Sequence, residues 1–66
     1  MQVGAKVDEE GVLLVDGDIV AFRRDVGGRF LLDVRRVTIG ASGARVRTLG
    51  TYVGDDLIDV DEVQPT

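Results

Sequence analysis

The sequence has no cysteine, no histidine and no tryptophan, and only one proline. Without thiols and imidazoles there is no sulfur nucleophile, no histidine base, no disulfide and no ligand set for a structural zinc. Triad hydrolases are thereby excluded, and no catalytic residue, cofactor or metal site is expected. The acidic clusters "DEE" at 8–10, "GDD" at 54–56 and "DVD" at 59–61 lack the ligand spacing and central glycine of a calcium loop, so they are read as solvated turns. Aromatic residues are scarce as well. Phe22, Phe30 and Tyr52 are the whole set, a poor platform for stacking single-stranded bases.

Long apolar runs are missing. None exceeds four residues, as in Val12 to Val15, which falls far short of the roughly 20 residues of a membrane-spanning helix, and no basic segment followed by an apolar one opens the chain. The expectation is a soluble, cytoplasmic protein that does not engage a membrane. Its 66 residues make one domain. A chain of this size buries only about 60% of its unfolded surface, and with no disulfide or metal to assist it, self-association is expected to contribute stability.

What the sequence does have is glycine-punctuated strand patterning. "QVGAKV" alternates, "DEEG" turns into "VLLV", "DGD" precedes "IVAFRR", and "DVGG" leads into "GRFLLDVRRVTI"; "GASG" and "GDD" then introduce "ARVRTLGTYV" and "LIDVDEV". No window repeats apolar residues at helical spacing. Short strands every 8 to 12 residues with glycine-bearing turns indicate an all-β protein of five or six strands. A hairpin closed by Gly40 and Gly43 would set Val37 opposite Val46, Ile39 opposite Ala44 and Arg36 opposite Arg47. Its apolar face would then switch near Arg35 and Arg36, which calls for a bulge or bend.

Charge is segregated along the chain although the total is −4. Residues 1–18 carry five acids and one lysine (−4), residues 19–53 seven arginines and two aspartates (+5), and residues 54–66 five acids (−5). Arg35, Arg36, Arg45 and Arg47 are the candidate site for an anion or an acidic partner. They are neutralised either by the acidic ends folding back, Asp59, Asp61 and Glu62 above all, or by an external polyanion. Asp33 is expected to point outward and pair with Arg35.

From Gly17 onward the chain resembles the Tudor and related SH3-like barrel domains. "GDIVAF" matches the opening Gly-Asp and alternating strand, "GGRFLLDV" the bent strand, "ARVRTLGTYVGDD" the strand that ends in an aromatic and Gly-Asp, and "LIDVDEVQP" the closing strand. Val53, between Tyr52 and Gly54, departs from the family pattern. The resemblance implies a small antiparallel SH3-like barrel over residues 17–65, with residues 1–16 added as an N-terminal hairpin. It also implies a binding module rather than an enzyme, with Tyr52 and Phe22 lining a groove.

The run Val12, Leu13, Leu14 and Val15 needs cover on both faces and is the expected interface for a homo-oligomer. The function expected from the sequence is therefore non-enzymatic: a protein-interaction or assembly module, of the kind that serves as a small structural, phage or mobile-element subunit, with itself or another protein as partner. The alternative is a small nucleic-acid-binding regulator that uses the arginine-rich segment.

Overall fold

The computed structural model describes all 66 residues, and it contains strands and no helix. The strands are β1 (Lys6–Asp16), β2 (Ile19–Arg24), β3 (Arg29–Asp33), β4 (Arg45–Gly54) and β5 (Leu57–Pro65). Three turns fall where the sequence places them. Gly17 and Asp18 join the paired residues Asp16 and Ile19, residues 25–28 link β2 to β3, and Asp55 and Asp56 link β4 to β5 with both aspartates at positive φ. Two-residue loops of this kind follow the right-handed twist of the strands they join.

β1 pairs with β2 on one side and β4 on the other, β2 pairs with β3, and β5 lies between β3 and β4. The sheet thus closes on itself in the order β1-β2-β3-β5-β4. Within that ring the order 4-1-2-3 is a Greek key, with residues 34–44 as its long connection. The pairing corrects the expected all-antiparallel sheet, because β3 and β5 run parallel (Leu31 opposite Leu57, Leu32 opposite Ile58).

Two further expectations change. Residues 1–16 do not form a hairpin: "DEEG" continues straight through as part of one eleven-residue strand that the closed sheet needs on both sides. Nor do the segments flanking "GASG" pair with each other, since β4 is taken by β1 and β5. Residues 42–44 instead extend the contact with β1: the Leu13 N–H donates to the Ala44 carbonyl, the Gly43 N–H to the Leu13 carbonyl and the Val15 N–H to Ser42 Oγ. Val34, Val37, Ile39 and Ala44 pack on the core from this irregular connection. A strand would have thrown these residues to opposite faces; an irregular segment turns each of them inward, so no bulge at Arg35 and Arg36 is required.

Alternation builds the core. Val7 and Leu13 of β1, Val20 and Phe22 of β2, Phe30 and Leu32 of β3, Val46 of β4, and Ile58 and Val60 of β5 form one buried cluster. Two glycines let the backbones draw together around it. A Cβ on Gly11 would collide with the Arg23 carbonyl oxygen and stand 2.9 Å from the Phe22 ring, and one on Gly50 would collide with the Asp59 carbonyl oxygen. Gly50 sits at one of two register shifts between β4 and β5.

One polar atom in this interior is unserved. Thr48 is fully buried and its hydroxyl oxygen has no hydrogen-bond partner. An unpaired buried hydroxyl costs on the order of 1 to 3 kcal/mol, and valine has nearly the same shape. Thr48→Val is therefore expected to raise unfolding stability by about 1 kcal/mol in urea titration; a loss of stability would mean that the hydroxyl is bonded after all.

Candidate interaction face

The arginines of the connection and of β4 each meet an aspartate. Arg47 grips Asp8 through two hydrogen bonds of 2.6 Å, and Arg45 holds Asp25 at 2.6 and 3.1 Å. Arg35 chelates Asp33, as expected, and Arg36 reaches Asp59 at 2.6 Å and Asp61 at 3.6 Å. Arg35, Arg36, Arg45 and Arg47 thus do not form one cationic patch. Arg36 and Arg47 face different carboxylates and are not cross-strand neighbours. The acidic ends supply part of the neutralisation, through Asp59 and Asp61 at one and Asp8 at the other, and the rest comes from Asp25 and Asp33 within the basic middle.

Hydrogen bonds from Arg47, Arg45 and Arg35 hold the carboxyls of Asp8, Asp25 and Asp33 below their ordinary value of 3.8. A carboxyl with a lowered folded-state value adds stability that is complete above its unfolded value and is lost as pH falls through the folded one. The urea midpoint is therefore expected to hold steady from about pH 7 to about pH 5 and to drop below about pH 4. An acid limb that persists when Arg35, Arg45 and Arg47 are all replaced by glutamine would assign it to other groups.

A different ion pair closes one end of the sheet. Arg24 donates to Glu9 from Nε at 2.7 Å and from Nη2 at 2.9 Å, and its guanidinium lies 4.4 Å from the centre of the Phe30 ring. Both partners are half-buried, so the pair is a structural plug more than a surface charge.

Arg23 and Arg29 are left over. Along with Lys6, they are the side chains of positive charge that make no ion pair, and they sit directly opposite each other on β2 and β3. Opposed like charges repel, and no carboxylate of the chain offsets this pair. The hairpin turn at 25–28 fixes the juxtaposition, and it was legible in principle: pairing "AFRR" with "RFLL" across "DVGG" sets Arg23 against Arg29.

The outer face between these arginines and the β1–β2 turn is apolar. One cross-strand row reads Leu14, Ala21, Leu31 and Leu57 through β1, β2, β3 and β5, and Val12 lies beside Arg23 in the next row. Leu14 is 36% exposed, Leu31 43% and Ile19 61%. At the far end of the face stand Asp16 and Asp18, neither of which has a cationic partner. The face therefore has an apolar middle, a positive end and a negative end.

The run at 12–15 divides as alternation requires. Leu13 is fully buried, Val12 and Val15 are half-buried, and Leu14 looks outward. Both edges of β1 are occupied by neighbouring strands, so any interface here uses side chains on its face and not its backbone. Phe22 is fully buried at the centre of the core and lines no groove, which corrects that expectation. Tyr52 is half-buried, packs against Phe30 with ring centres 6.1 Å apart, and its phenolic oxygen accepts the Asp56 N–H at 3.2 Å. It braces the β4–β5 turn.

A separate apolar cavity of about 300 Å³ lies where the 34–44 connection passes the ends of β4 and β5, lined by Ile39, Ala44, Val46, Val63 and Pro65 among others. No group of histidine, cysteine, aspartate or glutamate side chains is placed to hold a metal ion, and no helix is long and apolar enough to cross a membrane. Comparison with protein-family models, with curated proteins and with solved structures produced no match.

Proposed function

We propose that the chain is a protein-interaction module that binds through the outer face of β1, β2 and β3. One observation carries the reading: the unpaired arginines Arg23 and Arg29 border an exposed row of leucines, while every arginine from 35 to 47 already faces an aspartate. A face with an apolar centre and two unneutralised guanidiniums suits an apolar protein surface that carries carboxylates.

The fold supports the choice of face. A closed five-stranded Greek key with this strand order is the arrangement of the OB-type barrel, and we propose that kinship in preference to the SH3-like one. Barrels of that type commonly bind through the face of strands 2 and 3. Those that take single-stranded nucleic acid place aromatic rings there for stacking. In this chain leucines and alanine occupy the positions, and the net charge of −4 opposes a polyanion.

The experiment is a pair of titrations of dilute, isotopically labelled protein, followed by backbone amide shifts. One uses a peptide of alternating aspartate and valine, the other a short DNA duplex at low and moderate salt. Saturable shifts at Leu14, Ala21, Arg23, Arg29 and Leu31 with the peptide are expected. Shifts with the duplex and none with the peptide would overturn the reading in favour of a nucleic-acid-binding regulator.

A further inference from the structure

We infer that the partner for this face is a second copy of the chain, docked about a two-fold axis that passes through the row Leu14, Ala21 and Leu31. The inference rests on the interaction face proposed above and names its occupant.

Charges are ordered along the face. Arg23 and Arg29 form its positive end; Asp16 and Asp18, at the β1–β2 turn, form its negative end; none of the four has an ion-pair partner within the chain. On β2 the Arg23 row and the Ile19 row are separated by four residues, roughly 13 Å at a strand's rise. The leucine row lies midway between them.

A two-fold axis through that midpoint reverses the face upon itself. It lays the arginines of one copy against the aspartates of the other, twice, and lays leucine row against leucine row. An isologous interface must be complementary to itself in this way, with each residue i meeting a residue j that meets i in return. A face that carried only arginines beside its leucines would repel its own copy; the aspartates at the opposite end remove that objection.

The same geometry gives Ile19 a role. It is the most exposed of the face's large apolar side chains, and it stands beside Asp16 at the negative end. Under the two-fold operation it is brought toward the aliphatic stems of the partner's arginines, which can cover apolar surface while their charged heads reach the carboxylates.

Charge exchange tests the inference. One variant carries Arg23→Asp and Arg29→Asp, the other Asp16→Arg and Asp18→Arg, and each is checked for a folded amide spectrum before use. Sedimentation of the wild type is expected to show a dimer that dissociates as salt is raised, because the exposed ion pairs are screened. Each variant alone is expected to be monomeric, since both ends of its face then bear one sign. An equimolar mixture is expected to form a heterodimer.

A monomeric wild type at millimolar concentration overturns the inference, as do variants that both still form homodimers. If either variant fails to fold, Leu31→Asp in the wild type serves in its place, and a dimer of unchanged affinity is the overturning result. The peptide titration separates this inference from the reading beneath it. A monomeric chain that still takes the acidic peptide on the face loses its self-partner and keeps its role as an interaction module; a monomeric chain that takes none loses both.

Discussion

Gly11→Ala is expected to yield a chain without a native spectrum. The position pairs with Arg24 on one side and Val46 on the other, where β1 is shared between β2 and β4. The added methyl group would meet the Arg23 carbonyl, a backbone atom held by the β1–β2 ladder, and the Phe22 ring at 2.9 Å behind it. A ring can rotate out of the way; a paired carbonyl cannot move without breaking its register. Overpacking of this kind costs about 3 kcal/mol or more, against a total stability of roughly 3 to 10 kcal/mol for a domain of this length. Gly40→Ala is the control. Its nearest neighbour is the Ala44 methyl at 4.0 Å and its φ is not positive, so its urea midpoint should stay within about 0.5 kcal/mol of the wild type. A Gly11→Ala protein with a native spectrum and an unchanged midpoint would show that β1 and β2 are not pinched there.

Phe22→Ala is expected to lose about 4 kcal/mol, enough to leave much of the population unfolded at room temperature. Phe22 is fully buried, lies opposite Leu13 on β1 and Phe30 on β3, and is the largest of the side chains with no exposure. Removing it opens a void where three strands meet, and the paired backbones on either side limit how far the walls can collapse. The same truncation at Leu31, whose side chain is exposed on the outer face, is expected to change stability by less than about 1 kcal/mol. Equal losses at the two positions would contradict the division into core and binding face.

Part of that division was legible in the sequence. Alternation along β2 and β3 groups Val20 with Phe22 and Phe30 with Leu32 on the faces that are buried, although the SH3-like resemblance set Phe22 in a groove, and the glycine turns at 17 and at 27–28 mark where β1, β2 and β3 meet. The pairing of Asp33 with Arg35 was legible too, from their closeness in the sequence, although Arg35 lies just past the end of β3 and not on the strand. What alternation does not encode is which strands become neighbours. The "GASG" segment has the composition of a tight hairpin, yet β4 finds its partners in β1, some forty residues away, and in β5. Local turn chemistry is blind to that competition.

The arginine cluster illustrates the same limit. Four arginines close together between 35 and 47 look like a cluster in one dimension, but the fold disperses them among four separate partners: Asp8, Asp25, Asp33 and the Asp59–Asp61 pair. Arg23 and Arg29, separated in the sequence by a whole turn, are the two that the fold brings face to face. Neutralisation by distant acids cannot be read until strand neighbours are known. A cross-strand pair over a short hairpin can be.

The placement of β5 between β3 and β4 has a consequence for how the molecule is made. A chain that stops short of Leu57 can form the β1–β2–β3 meander and set β4 beside β1, but it leaves the free edges of β3 and β4 with unpaired amides and carbonyls. Synthesis from the N-terminus must therefore carry an unfinished sheet with two adhesive margins until the final strand emerges to zip them together. Most of this molecule's exposure to misassembly is thus concentrated in a brief interval before its last strand is available, and a finished copy presents no such margin to its neighbours.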